Sequence, residues 1–166
     1  MSADDRSIPS VELAFQVIGH PQPGGSKKAF PIRRAGRLTG QVAVTDSNPR
    51  AKQWAQHVIA AAITATDQHH NGWTPLTGPL LLDVLFVLPR PAGHYGTGRN
   101  TQTVRAGAPS HPHVRPDVTK LIRVVEDALT GIVWRDDAQI VNQHARKRYG
   151  HPPGAVITIR TLEAAP

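Results

Sequence analysis

The spacing of apolar residues changes several times along this chain, and each change marks an element. From Val11 to Ile18 apolar and polar positions alternate, with Leu13, Phe15 and Val17 on one face, which predicts a half-buried strand. Lys28–Ile32 and Gln41–Thr45 flank the polar stretch Arg33-Arg34-Ala35-Gly36-Arg37 and predict a hairpin. Asp46-Ser47-Asn48 ahead of Pro49 offers a capping side chain and a first-turn proline, so a helix starts there. It runs to about His69, with Ala51, Trp54, Ala55, Val58, Ile59, Ala62 and Ile63 along one stripe. Pro79 to Leu88 is a nearly continuous apolar run, the pattern of a buried central strand. A second helix opens at Asp117, turns Leu121, Val124, Val125, Ala128 and Leu129 to the core and stops at Gly131. Ala138–Arg148 and Ala155–Leu162 close the chain as strands.

The expected order is β-(ββ)-α-β-α-β-β: a single small α+β domain with a mixed sheet, two principal helices and no internal repeat. Residues 1–9 read as a frayed tail and residues 10–163 as the domain. Residues 89–116 break the pattern, with five prolines, four glycines, four arginines, three histidines and no acid. A loop of that length in a small domain is commonly functional or disordered.

Charge narrows the choice of partner. The 166 residues carry 19 Lys and Arg against 12 Asp and Glu, a net charge of +7 and a pI near 10.6. Such a balance suits a polyanion such as nucleic acid. The absence of cysteine excludes a disulfide scaffold, a thiolate zinc site and cysteine catalysis. Without a charged-then-apolar leader or a long apolar run, the expectation is a soluble, cytoplasmic protein with no membrane partner.

The scarce acids are not spread evenly. Five of the twelve fall between Asp117 and Asp137, among Arg and Lys. Converging carboxylates repel one another, and a divalent cation is the usual compensation. Asp117 lies at a helix start, and Asp136 and Asp137 follow one helix and a short turn later. A helix returning into a strand can bring both ends to one sheet edge, so the three carboxylates are placed to meet. Carboxylates on a metal under a basic surface are the chemistry of phosphodiester cleavage. The plainer reading makes Asp117 an N-cap and Asp136-Asp137 turn formers.

Arg115-Pro116-Asp117-Val118-Thr119-Lys120-Leu121-Ile122-Arg123, then Glu126-Asp127-Ala128-Leu129-Thr130-Gly131, then Asp136-Asp137-Ala138-Gln139-Ile140-Val141 resembles the RusA family of Holliday junction resolvases. The family pattern is Asp-x-Asp at a helix start, a Lys one turn on, Asp-Ala-Leu ending the helix and Asp-Asp-x-Gln-Val on the next strand. The resemblance implies a homodimeric endonuclease, dependent on Mg2+ (with Mn2+ as a substitute), that nicks opposed strands of four-way junction DNA in recombination and repair. It also implies a prokaryotic cell or a phage-infected host. Position by position, Asp117 and Asp137 match family aspartates, Asp136 is the neighbour able to share or orient the metal, and Arg123 takes the place of the catalytic lysine.

Two departures stand out. Thr119 replaces the second Asp of Asp-x-Asp; its hydroxyl can ligate magnesium but brings no charge. Arg123 keeps the positive charge but cannot act as a base, because guanidinium does not deprotonate. Thr119 and Arg123 are four apart and share a helical face, suited to one phosphate. Glu126 and Asp127 lie roughly 14–15 Å along the helix axis from Asp117, too far to replace the missing aspartate.

For DNA contact the candidates are Lys27 and Lys28 beside Gly24-Gly25-Ser26, Arg33, Arg34 and Arg37 on the hairpin, Lys120 on the second helix, and Arg146 and Arg148 on one strand face with Lys147 opposite. Trp54 and Trp134 read as core, Trp73 as packing over a helix end, and His111-Pro112-His113 as a solvated loop. Competing functions are a junction-binding protein that cuts weakly, a nuclease for other branched or single-stranded nucleic acid, and a basic structural protein with no site. Thr119→Asp separates the first from a pure binder. Junction cleavage at limiting Mg2+ is expected to rise several-fold in this variant, and an unchanged rate points to a binder.

Overall fold

A computed structural model describes residues 11–25, 27–46, 48–69 and 72–162. The expected N-terminal tail lies outside them. The elements are β1 (Val11–Ile18), β2 (Lys27–Arg34), β3 (Arg37–Asp46), α1 (Pro49–Asp67), β4 (Leu80–Leu88), α2 (Val118–Leu129), β5 (Ile140–Tyr149) and β6 (Gly154–Thr161). The main sheet has the order β1-β6-β4-β5, while β2 and β3 form a separate two-stranded hairpin. The domain is α+β, as the periodicity predicts.

β4 explains why its sequence is apolar on both faces. It pairs antiparallel with β6 on one side and parallel with β5 on the other. Leu80, Leu82, Val84 and Phe86 lie fully buried in the core with α1 and α2, beside Ile157 and Ile159 of β6 and Leu13 and Val17 of β1. On the reverse face Leu81 and Val87 are also buried, but Asp83 and Leu85 remain partly open. The β4–β5 pairing is parallel, so the chain must cross from one end of the sheet to the other, and α2 makes that crossover.

Both helices start and stop close to where the sequence puts them. Asn48 accepts from the Arg50 N–H at 3.2 Å, and Pro49 opens α1. The α1 stripe is narrower than predicted: Ile63 is exposed, while Thr66 is buried and donates to the Ile63 carbonyl at 2.9 Å. Ile63 is one residue, about 100° of helical rotation, past Ala62, which takes it out of the contact. In α2, Leu121, Val124, Val125, Ala128 and Leu129 are all buried, joined by Ile122. Trp54 and Trp134 are core residues. Trp73 donates to the Ile132 carbonyl at 2.9 Å and packs edge-on against His69 just past the end of α1.

The start of β5 and the loop after β4 add to the expected picture. β5 starts at Ile140 because Asp137–Gln139 form one turn of 3-10 helix. The loop over residues 89–116 is folded rather than structureless. It has short 3-10 turns at Ala92–His94 and Gly98–Asn100, and Gly96 and Arg105 donate to the Thr103 and His94 carbonyls, each at 2.9 Å. Arg90 lies over the Tyr149 ring, 4.4 Å from its centroid, and donates to the Pro109 carbonyl at 2.7 Å.

At the hairpin tip both turn residues have positive φ, Ala35 at 47° and Gly36 at 79°, as in a type I′ turn. Alanine is strained there by its Cβ. Ala35→Asn is expected to stabilise the protein by up to ~1 kcal/mol, read as a higher midpoint in chemical denaturation.

Candidate functional site

α2 turns its apolar stripe to the sheet, so its other face carries the chemistry. Asp117 sits at the N-cap position with its backbone carbonyl accepting from the Lys120 and Leu121 N–H groups, both at 3.1 Å. Its carboxylate makes no capping hydrogen bond. The side chain is 58% exposed, and Lys120 Nζ stands 3.9 Å from it. Helix capping therefore does not account for this aspartate.

One turn on, Thr119, Lys120 and Arg123 continue the same surface. With Asp117 and Asp127 they line a cleft of about 1130 Å3 whose far wall is the first turns of α1, including Lys52. A second cleft of about 670 Å3 adjoins it and shares Gly24, Gly25, Asn48, Asp117 and Lys120. Asp117 thus stands where the two meet. The Pro21–Gly25 loop is strapped into that junction: Gly24 donates to the Lys120 carbonyl at 2.9 Å, and Asn48 donates to the Pro23 carbonyl at 2.8 Å. Lys52 is a cleft residue that sequence reasoning missed, because nothing in one helix shows which face meets another helix's polar side.

Asp136 and Asp137 occupy the other end of α2. Asp136 accepts from the Ala138 N–H at 2.8 Å, while Gln139 accepts from the Asp136 N–H at 3.0 Å, closing a capping box. Gln139 also donates to the Leu76 and Gly78 carbonyls at 3.0 and 3.1 Å, which ties this turn to the approach of β4. Asp136 therefore serves the turn, as the plainer reading held. Asp137 is exposed and lies near enough to Glu126 to help hold its carboxyl above the ordinary range. Burial is the main cause of that upward shift, with Asp137 and Asp127 adding to it, and the Gln143 hydrogen bond and Arg123 opposing it.

The expected meeting of Asp117, Asp136 and Asp137 does not occur within one chain. Asp117 and Glu126 are nine residues apart, ~14 Å along a straight helix, and it is the Glu126 carboxyl that feels the Asp137 charge. Among the described residues no group of three or more His, Asp or Glu is placed to hold a metal ion. The helix is a rigid spacer between the two acidic ends.

The DNA-contact candidates divide. Arg34 and Arg37 are exposed on the hairpin, whereas the side chains of Lys27, Lys28 and Arg33 lie outside the described parts. Ala145 packs against the core, so Arg146 and Arg148 project from the reverse face of the sheet, away from the cleft. Arg146 is paired with Asp83 at 2.6 Å, and His144 Nδ1 stands 3.7 Å from the other oxygen of that carboxylate. Asp83 was the one acid inside an apolar run, a signal that could have announced a partner. Arg148 is exposed.

Comparison with known proteins places this arrangement. The family model described as endodeoxyribonuclease RusA matches residues 27–160. The chain belongs to the RusA family. It is also 28% identical over 152 residues to the uncharacterized protein YqaN of Bacillus subtilis (strain 168), covering 92% of this chain and 98% of that one. Family membership makes the protein an endodeoxyribonuclease, a phosphodiester hydrolase of the class that acts on junction DNA. Among the described residues no helix is long and apolar enough to cross a membrane.

Glu126 gives this region a pH signature. Its folded pKa is raised above 4.5, so its protonation favours the fold. That contribution is full below the unfolded value and is lost as pH rises through the folded one. Relative to wild type, Glu126→Gln is expected to gain stability as pH rises from 4 to 8, measured as the difference in melting temperature; a constant difference contradicts the shift.

Proposed function

We propose that this protein resolves four-way DNA junctions by paired, magnesium-dependent nicking, acting as a homodimer. The observation that carries the reading is the Asp117 carboxylate, released from helix capping and set at the junction of two clefts, both lined by Lys120 and the larger also by Thr119, Arg123 and Lys52. DNA phosphates bind to proteins by ion pairing with Lys and Arg, and the net charge of +7 suits that.

The donors present are hard oxygens, the type magnesium selects. Asp117 would hold the ion, with the Thr119 hydroxyl as an uncharged neighbour, and the exposed carboxylate supports that fit. When bound, such an ion polarises the phosphate and lowers the pKa of an attacking water. Arg123 and Lys120 clamp the phosphate and offset the charge that builds on it. Arg123 acts through its guanidinium donors and moves no proton. Thr119 and Arg123, one turn apart on the cleft face, orient the same group.

Asp137 lies past the far end of α2 from Asp117, in the turn before β5. In a two-fold dimer it is available to the other active centre, so that each centre combines Asp117 with Asp137 of the partner subunit. A four-way junction has the same symmetry, and two such centres cut its opposed strands.

The test is cleavage of a synthetic four-way junction, with linear duplex of equal length as competitor. Paired nicks that need Mg2+ are expected, falling by on the order of 10²-fold or more in Asp117→Asn and in Asp137→Asn. Mixing the two inactive variants is expected to restore part of the activity, since one centre in a mixed dimer is intact. Equal cutting of linear duplex points to a general nuclease, and binding without cutting in any divalent metal points to a junction-binding protein.

A further inference from the structure

Lys147 belongs to β5 and, opposite Phe86 on the core side of the sheet, shares its face with Ala145 and Gln143. Lys147 is half-buried there, turned towards the segment that leads into α2. Its ammonium donates to the Val114 and Pro116 carbonyls, each at 2.8 Å. Pro116 immediately precedes Asp117, so the second of these bonds holds the peptide that leads into the site. On the same face Gln143 donates to the Glu126 carboxylate at 2.5 Å.

These two contacts have matching spans. Lys147 and Gln143 are four residues apart on a strand, ~13 Å. The α2 positions they hold, next to Asp117 and at Glu126, are ~14 Å apart along the helix. β5 therefore grips α2 at both ends, like a splint. Apolar packing alone leaves a helix free to slide by small amounts along a sheet, whereas two directional hydrogen bonds at fixed spacing do not.

We propose that Lys147 is a positioning residue for the nuclease site: it sets where the Asp117 carboxylate stands and does not contact DNA. The inference rests on the proposed role of Asp117. Both of the observed Lys147 hydrogen bonds go to protein carbonyls. Displacement of a catalytic group by about 1 Å can cost on the order of 10²-fold in rate with little effect on substrate affinity.

The experiment compares wild type, Lys147→Met and Lys147→Arg in junction cleavage at saturating enzyme, in junction binding across a salt series, and in hydrogen exchange of the 114–121 segment. In Lys147→Met the cleavage rate is expected to fall by on the order of 10²-fold. Junction affinity and its salt slope should stay unchanged, and exchange in 114–121 should rise. Lys147→Arg, which keeps donors to both carbonyls, should recover part of the rate and the protection. A weaker affinity with the salt slope reduced by about one, at an unchanged saturated rate, would mean a direct phosphate contact and overturn the proposal. Unchanged rate and exchange would overturn it too. If wild type does not cut, the junction-resolving function fails, and the exchange data still decide whether Lys147 holds the approach to Asp117. If Lys147→Met melts too early to measure, Lys147→Arg is judged by the same readouts: wild-type affinity with impaired rate or protection upholds the proposal, and reduced affinity with an unchanged rate overturns it.

Discussion

Everything about the site follows from how α2 is held against the sheet. Six apolar side chains, from Leu121 to Leu129, bury against β4 and its neighbours, and helical geometry then dictates that Thr119, Lys120, Arg123 and Asp127 face outward. The face is polar because it is not needed for the core, and it lines a cleft because α1 stands across from it. A helix with a weaker stripe would leave the rotation, and with it the cleft residues, undefined.

The same helix also separates what the motif joins. Asp117 and Asp137 lie close in the order of motifs but at opposite ends of a rod. The proposed sharing of a centre between subunits rests on that separation. Asp136 shows how local bonding divides two adjacent acids. Its carboxylate closes the turn before β5, while that of Asp137 remains exposed. Identical residue types thus take different roles according to which backbone N–H groups lie within reach.

Cations in this chain divide in a comparable way. Arg90 and Lys147 donate to loop carbonyls, and Arg146 pairs with Asp83. The acid-free loop over 89–116 is thereby tied to the sheet by cations from β5 and from just past β4. Arg99, Arg105 and Arg115 of that loop remain exposed. Net charge measures the total and cannot tell which charges face a polyanion, because the carbonyl and carboxylate partners come from residues distant in the chain.

Periodicity alone determined the element order, the α+β class and most of the buried stripe, since each rests on repeats that recur within a few residues. The capping start of α1, the burial of Trp54 and Trp134, and the apolar character of β4 were legible for the same reason. The motif around Asp117 and Asp137 carried the family, because several spaced residues in register are specific where any one is not. What only the tertiary structure decided are relations across space: the exposure of Ile63, the cleft role of Lys52, the partner of Asp83, the grip of Lys147 and the distance between the two acidic ends. Each depends on which surfaces the parallel pairing of β4 with β5 brings together, and residues scores of positions apart leave no periodic trace of such a meeting.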